Sequence, residues 1–555
     1  MNLIHYTLKL LRLRAAAFEK NTKNPMKAQE KILREIISRN RKTEYGLKYN
    51  FSSIRSIAEY RNRVPLIDYE TLRPLVKRIT KGERGILTKD NPVFFSITSG
   101  SSGIPKLIPV TKYSQTKNSH VINLSAYYVT RDHPDIVTGK ILAIVSPEVV
   151  GYTASGIPYG AESGHAYKNL PTAIKGAYSL PYEVFEIEDY NTRYYTILRV
   201  SMEHDITIIA TMTPSTIILL CRLIEKVRDD VIKDIRKGTI KQNLNLSSHI
   251  RKILERSLRP NPKRADALEK IIKEKGSLLP KYFWPRLQVI ECWKRGSMGL
   301  YLKKLPKYFG DTAIRDFGYF SSEMRSSIPI KDKDAEGVLA ITTNFYEFIP
   351  REDSDKKEKR LLLCDQLKSG QEYFIVLTTP GGFCRYNIDD MIRVTGFFNK
   401  TPIIEFVQKG INVTSATGEK LYESQVVKAV NKATERTGLS LELFTACVEL
   451  AHSTRYVFLV EFIGEPTAAK KKELLLTIEK ELRALSEEYD FNRTAQELGH
   501  PVLKVLSRGS FEKFRTKKIK EGAHDSHFKL PQLTSDPNFQ KNFDIIEEIS
   551  LSPAS

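Results

Sequence analysis

Apolar positions along this chain change their spacing several times, and each change marks a different kind of element. Up to about residue 80 they recur at helical intervals between loops rich in Asn, Lys and Arg, which predicts a helical lead-in. From about residue 93, short apolar runs appear: VFFSI, KILAIVSP, ITIIATM and LQVIECW. They are β-branched and bounded by turn residues, so each predicts a buried strand. TIILLCRLIEKV follows one of them at helical spacing. Strands alternating with helices predict an α/β layered domain with substantial parallel sheet.

Residues 336–398 change character. EGVLAITTNFYEFIP and QEYFIVLTTPGGFCRYNIDDMIRVTGF carry extended patterns joined by polar turns, which predicts a mostly antiparallel subdomain. After TPIIEFVQKG the order becomes a helix (YESQVVKAVNKATERTG), two strands (LELFTACVEL, RYVFLVEFIG), a long helix (AAKKKELLLTIEKELRALSEEYD) and a strand (VLKVLS). That is enough for a separate α+β domain. The boundary is placed near Lys409–Gly410, giving a large domain over 1–408 and a small one over 409–555.

Composition adds limits. At 555 residues, 41% hydrophobic and 27% charged, the chain is that of a folded protein with no low-complexity tract. Five scattered cysteines without a CxxC pair argue against a disulfide scaffold and for a reducing, cytoplasmic setting. MNLIHYTLKLLRLRAAAFEKN carries charges through its apolar stretch and predicts an amphipathic helix, not a signal peptide. The most apolar segment, ITIIATMTPSTIILL, is interrupted by threonines and Pro214, so no transmembrane span is expected. The net charge of +22 would suit an anionic partner. Its lysines and arginines are spread along amphipathic helices, however, and form no nucleic-acid module.

The chemistry concentrates after VFF. Thr98, Ser99, Ser101 and Ser102 surround Gly100 and Gly103, and Lys106 follows. Small residues let backbone N–H groups converge on phosphate oxygens, hydroxyls add donors, and the lysine adds charge. The spacing is not that of the Walker loop, GxxxxGK(S/T). There is no GxSxG elbow, no HExxH, and no histidine evidently paired with a cysteine, so nothing suggests a covalent acyl-enzyme or a zinc site.

TSGSSGIPKLIPVT resembles the phosphate loop of the adenylate-forming superfamily. More specifically, it resembles that of the Gretchen-Hagen-three family of acyl-acid amido synthetases, bacterial members included. RNRKTEYGLKYNF, WPRLQVIECW, IRDFGYFSSE, NFYEFIP, GFCRYNIDDMIRVTGF and HFKLP continue the resemblance in order, from about residue 39 to 531. It implies a large adenylate-forming domain and a smaller mobile C-terminal domain. By this match Tyr319 stacks on adenine, Ser322 contacts the α-phosphate and Glu323 helps hold Mg2+. Asp390 would accept the ribose hydroxyls. The family pattern has Gly where Asp389 stands, so both adjacent carboxylates remain candidates. The hinge segment, FVGR in the family, is FVQK here, with Lys409 in place of arginine and the bidentate geometry lost. Lys529 matches the lysine that the small domain presents to the reacting carboxylate. His527 stands where relatives carry glutamine, and His524 and His527 read as surface residues.

The activity implied is ATP-dependent formation of an acyl-adenylate, with release of pyrophosphate. Acyl transfer to an amine, typically an amino acid, follows and releases AMP. The acyl pocket is expected between the N-terminal helices and the sheet, including VGYTASGIPYG. An acyl-CoA ligase would share the first step. The more distant alternatives are a fold used only to bind or modify a partner, and a non-catalytic basic protein that binds nucleic acid or a membrane surface.

Overall fold

The computed structural model describes residues 2–98, 106–295, 298–354, 356–410, 413–414, 416–417, 419, 421–449, 454–494, 498–521 and 530–551. The chain divides into two compact units. The first is Met1–Lys294 with Lys304–Phe406, and the second is Arg295–Lys303 with Val407–Ser555.

The larger unit holds three principal sheets. In a parallel sheet, Lys140–Ile144, Ile206–Thr211, Val289–Glu291 and Ala313–Arg315 lie side by side in chain order. The first three are the runs KILAIVSP, ITIIATM and LQVIECW; VFFSI lies in another sheet, and Ala313–Arg315 is too short for a pattern to show. Pro214–Lys237 is the helix that follows the second strand. It stops at Gly238, whose φ of 68° places it in the left-handed region, and a side chain there would run into Pro260.

A second sheet is ordered Lys106–Thr111, Pro92–Thr98, Pro158–Gly160, Gly151–Tyr152. The third is six-stranded and contains Glu336–Leu339, Phe345–Pro350, Glu372–Thr378, Tyr386–Phe398 and Thr401–Lys409, all antiparallel wherever strand partners are described.

The N-terminal helices share one core with this third sheet. Pro25–Arg39 starts on the Asn24 cap and buries Ile32, Leu33, Ile36 and Ile37 along one face. Its Gln29 is also buried. The Gln29 amide donates to the carbonyls of Ile341 and Asn344, 2.8 Å each, and accepts from the Tyr346 N–H at 2.8 Å.

The second unit is a five-stranded mixed sheet ordered Leu533–Thr534, Leu441–Glu449, Arg455–Phe462, Val502–Leu506, Ile545–Ser550. Strand alternation sends Tyr456, Phe458 and Val460 into a core with the helices Glu423–Thr437 and Ala468–Leu485. Val457 and Leu459 face the opposite core, built on Phe511, Phe514, Phe539 and Phe543. The single long helix expected from AAKKKELLLTIEKELRALSEEYD is two, Ala468–Leu485 and Glu487–Thr494. Ser486 turns extended between them, and its hydroxyl accepts from the Tyr489 N–H at 3.2 Å; such a cap competes with helix continuation.

All five cysteines are buried and none is in a disulfide. Among the described residues, no helix is long and apolar enough to cross a membrane.

Candidate active site

The candidate phosphate loop closes a hairpin. Pro92–Thr98 and Lys106–Thr111 pair antiparallel with Thr98 opposite Lys106. Ser99, Gly100, Ser101, Ser102 and Gly103, between them, lie outside the described residues. The hairpin base is fixed by Tyr69, which the sequence reading passed over. Its hydroxyl donates to the Leu107 carbonyl at 2.9 Å and accepts from the Leu107 N–H at 2.8 Å. The Lys106 ammonium sits 5.2 Å from the centre of the Tyr69 ring, a cation–π contact.

Tyr319 leads into a minimal hairpin, Phe320–Ser321 against Met324–Arg325. Gly318 precedes it at φ 81°, where a Cβ would lie 2.5 Å from the Ser327 carbonyl. The Tyr319 N–H donates to Ser327 Oγ at 2.8 Å, and its carbonyl accepts from the N–H groups of Ser326 and Ser327. The Tyr319 ring lies parallel to Phe406 with centroids 5.6 Å apart, so one face is already covered. The buried phenol donates to Asp390 Oδ2 at 2.7 Å. Burial, reinforced by Asp390, pushes that phenol well above its ordinary range, so it stays a donor.

Asp390 is 6% exposed. Its strand is irregular: Val376 pairs with Asn387, yet Phe374 pairs with Met391. The extra residues bulge, and Asp389 within the bulge has φ 62°. This is the left-handed conformation that glycine adopts without penalty, and it accounts physically for a family pattern with Gly at this position. Burial still differs between the two carboxylates, with Asp390 buried and Asp389 half-buried. Asp390 carries the Tyr319 contact, while the Asp389 N–H donates to Asn387 Oδ1 at 3.1 Å.

Glu323 is half-buried. It accepts from the Tyr386 hydroxyl at 3.2 Å and makes no ion pair among the described residues. Burial raises the Tyr386 phenol, and both Glu323 and Asp390 add to the shift; the Tyr319 phenol feels the same two carboxylates. Two acids and two tyrosines therefore form one electrostatic group. Ser322 lies half-buried in the turn beside it.

NFYEFIP and the start of GFCRYNIDD prove to be scaffold. Arg385, at φ 50°, is anchored by Nε to Glu347 Oε2 at 3.0 Å and by Nη1 to the carbonyls of Arg61 and Val64, at 2.8 and 2.6 Å. Arg61 Nε donates to Glu347 Oε1 at 2.8 Å. Asn344 donates to the Arg325 carbonyl at 3.2 Å and so ties this scaffold to the Glu323 hairpin.

Gln408 and Lys409 end the strand Thr401–Lys409, just past the division between the units. Gln408 Oε1 accepts from the Ser424 hydroxyl at 2.6 Å, at the start of the next helix. Lys529, His524 and His527 lie outside the described residues.

Comparison with known proteins gives a consistent result. The GH3 family N-terminal domain matches residues 14–314, the GH3 family central domain 337–409 and the GH3 family C-terminal domain 424–538. The Tyr319–Glu323 segment falls between the first two matches. The chain is 26% identical over 544 residues to jasmonoyl–L-amino acid synthetase JAR4 of Nicotiana attenuata, covering 94% of this chain and 93% of the relative. It is 26% identical over 558 residues to indole-3-acetic acid-amido synthetase GH3.10 of Arabidopsis thaliana, covering 93% and 94%.

Among solved structures it superposes on AtGH3.15 acyl acid amido synthetase in complex with 2,4-DB, with TM-score 0.87, 25% identity and 97% of each chain covered. A 2-hydroxyisobutyryl-CoA ligase at TM-score 0.52 and 12% identity, covering 92% and 89%, shares the adenylate-forming fold alone. With three domain models of one family matched in order, the first over more than half of its length, this chain belongs to the GH3 family.

Proposed function

We propose that the protein is an acyl-acid amido synthetase. It activates a carboxylic acid with ATP as the acyl-adenylate, releases pyrophosphate, and passes the acyl group to an amine, most simply an amino acid, with release of AMP. The observation that carries this reading is the likeness along nearly the whole chain to relatives named as amido synthetases. The CoA ligase, at 12% identity, is alike in fold alone, and the preference for amide over thioester formation rests on the named relatives.

A carboxylate is a poor acyl donor because its leaving group would be oxide. The anhydride with AMP supplies a better one. The residues' task is to align the carboxylate with the α-phosphorus and to offset charge. In this reading the loop Thr98–Gly103 and Lys106 hold phosphates, and Asp390, oriented by Tyr319, accepts the ribose hydroxyls. Tyr319 and Ser322 complete the nucleotide site. Lys409 and Lys529 belong to the small domain, with Lys529 offsetting charge on the reacting carboxylate and Lys409 retaining the hinge charge.

Glu323 fits a hard cation. Its carboxylate is half-buried, held by one tyrosine and paired with no base among the described residues. Mg2+ is commonly held by one or two carboxylates together with substrate phosphates, and when bound it supplies charge neutralisation at those phosphates. Among the described residues no group of three or more His, Cys, Asp or Glu is poised for a metal, which suits an ion shared with the substrate. Five unpaired cysteines support a cytoplasmic setting.

The test is pyrophosphate release from ATP and Mg2+ across a panel of carboxylic acids, with amino acids or CoA added in turn. Acid-dependent release, lost in Glu323→Ala and Lys529→Ala and followed by an amide product, is the expected result. Thioester product with CoA and none with any amine would redirect the second step to the CoA ligase reading. Silence with every acid, together with absent ATP binding, would sink adenylation.

A further inference from the structure

Beside Glu323 lies a polar cluster that the nucleotide chemistry leaves unused. Strand Pro158–Gly160 pairs in parallel with Pro92–Thr98, Gly160 beside Ser96, and runs directly into the short helix Glu162–Lys168. Glu162 and His165, one turn apart, therefore stand close to the phosphate-loop hairpin. Helix Lys112–Asp132 presents Gln115 and Asn118 to them. The hairpin that carries Glu323 and Arg325 packs against the same helix, and both of these side chains act electrostatically on Glu162.

Half of this cluster is rigid and saturated. His165 Nδ1 pairs with Glu148 Oε1 at 2.7 Å, Nε2 meets the Gln115 amide at 2.5 Å, and the ring stacks on Phe94 at 4.3 Å. The other half is unsatisfied. Asn118, at a long 3.4 Å, is the single hydrogen-bond partner of Glu162 among the described residues. Burial raises the Glu162 carboxyl, against the pull of Arg325, and Glu323 adds to the rise.

Arg325 lies over the Phe320 ring, its Cζ 4.6 Å from the centroid. Its Nε is buried without an acceptor, and its guanidinium forms no hydrogen bond or ion pair among the described residues. Arg385, in the same unit, shows the ordinary outcome, with its fork filled by Glu347 and two carbonyls. A guanidinium held in place by an aromatic face, with its donors unfilled, is preorganised for an incoming carboxylate. A sparsely bonded carboxylate nearby, with no ion pair to Arg325 within 4 Å, is matched to an ammonium group.

We infer that Arg325 and Glu162 form a recognition site for a zwitterionic amino acid, the guanidinium taking its carboxylate and Glu162 its ammonium group. The inference rests on the amido-synthetase reading and narrows it: one of the two organic substrates carries both charges. That substrate is either the amine acceptor or an acyl acid that is itself an amino acid, and the two steps of the reaction tell these apart.

The experiment uses the full-length protein and its Arg325→Ala, Arg325→Lys and Glu162→Gln variants, each checked for an unchanged melting profile. Probes are the standard amino acids, their α-amides and the corresponding deamino acids. Each is tested in acid-dependent ATP–pyrophosphate exchange without amine, in amide formation with the acid that gives most exchange, and in calorimetric titration. Wild type should prefer the zwitterion over both analogues in one step. Arg325→Ala should raise the half-saturating amino acid concentration in that step about 10- to 100-fold, as loss of a charged hydrogen-bond pair implies. Arg325→Lys should recover part of it, and Glu162→Gln should erase the preference over deamino acids.

An effect confined to exchange assigns the site to the acyl acid, and one confined to amide formation assigns it to the acceptor. Wild-type turnover with no zwitterion preference, or variants that leave that preference intact, overturns the inference while the amido-synthetase reading stands. Exchange with no acid at all removes that reading instead. Titration then decides the site alone: binding of the amino acids lost in Arg325→Ala retains it, and no difference between the proteins rejects it.

Discussion

Replacing Asp389 by Gly and, separately, Asp390 by Asn divides backbone geometry from chemistry at the candidate ribose site. Asp389 holds φ 62°, a conformation that costs an L-residue about 1–2 kcal/mol and Asp somewhat less. Glycine removes that cost but gives the unfolded chain extra freedom worth about 0.4–1 kcal/mol. The terms oppose, so Asp389→Gly should sit within about 1 kcal/mol of wild type and keep its activity.

Asp390 is different. It is buried and accepts the Tyr319 hydroxyl at 2.7 Å. Removing its charge weakens that bond and deprives a diol of its acceptor. Hydrogen bonds to charged groups are worth about 1.5–3 kcal/mol, so kcat/KM for ATP should fall about 10- to 150-fold. The assay is acid-dependent pyrophosphate release at varied ATP, with denaturant unfolding of both variants run alongside. Loss of that size in Asp389→Gly, with Asp390→Asn unimpaired, would refute the assignment and move the ribose contact to Asp389.

Three further outcomes follow from the contacts. Tyr69→Phe removes both hydrogen bonds to Leu107 and should cost about 1–3 kcal/mol of stability, while raising KM for ATP because the loop base loosens; unchanged KM would argue against that coupling. Arg385→Met leaves Glu347 paired with Arg61 alone and should destabilise the large unit by about 1.5–3 kcal/mol in guanidinium titration, as loss of charged hydrogen bonds implies. In the second unit, burial works against Glu449, but hydrogen bonds from Lys504, Arg455 and Gln540 prevail and lower its carboxyl to about 2. Its stabilisation is present above the unfolded value of 4.5 and is lost as pH falls from there toward 2; Glu449→Gln should flatten that acid limb of the second unit's unfolding curve.

Much of the fold was legible because its strands are buried runs and its helices amphipathic, so VFFSI, ITIIATM and TIILLCRLIEKV announced themselves locally. What escaped was either too short or too distant. Ala313–Arg315 and the hairpin Phe320–Ser321/Met324–Arg325 have two or three residues per strand, too few for an alternation of period two to repeat. Arg295–Lys303 joins the second unit, although nothing in its composition separates it from its neighbours. Motif resemblance marked Tyr319, Glu323 and Asp390 as important. It gave no hint that Tyr69 pins Leu107 or that Tyr386 reaches Glu323, because side chains 38 and 63 residues apart meet only in space. Glu347 lies in the family landmark NFYEFIP, and its physical task is to hold Arg385.

The Gln29 clasp carries a consequence for synthesis on the ribosome. Its partners in the Ile341–Tyr346 turn lie 312 to 317 residues downstream. At about 5–20 residues per second, helix Pro25–Arg39 waits roughly 15–60 s before the strand it packs on has been made. During that interval Ile32, Leu33, Ile36 and Ile37 have only the local part of their native cover, from the first helix and the Phe51 segment, and lack the sheet side. Ribosome-bound chains halted before residue 345 should be cut by protease within this helix, and chains extended past residue 410 should resist.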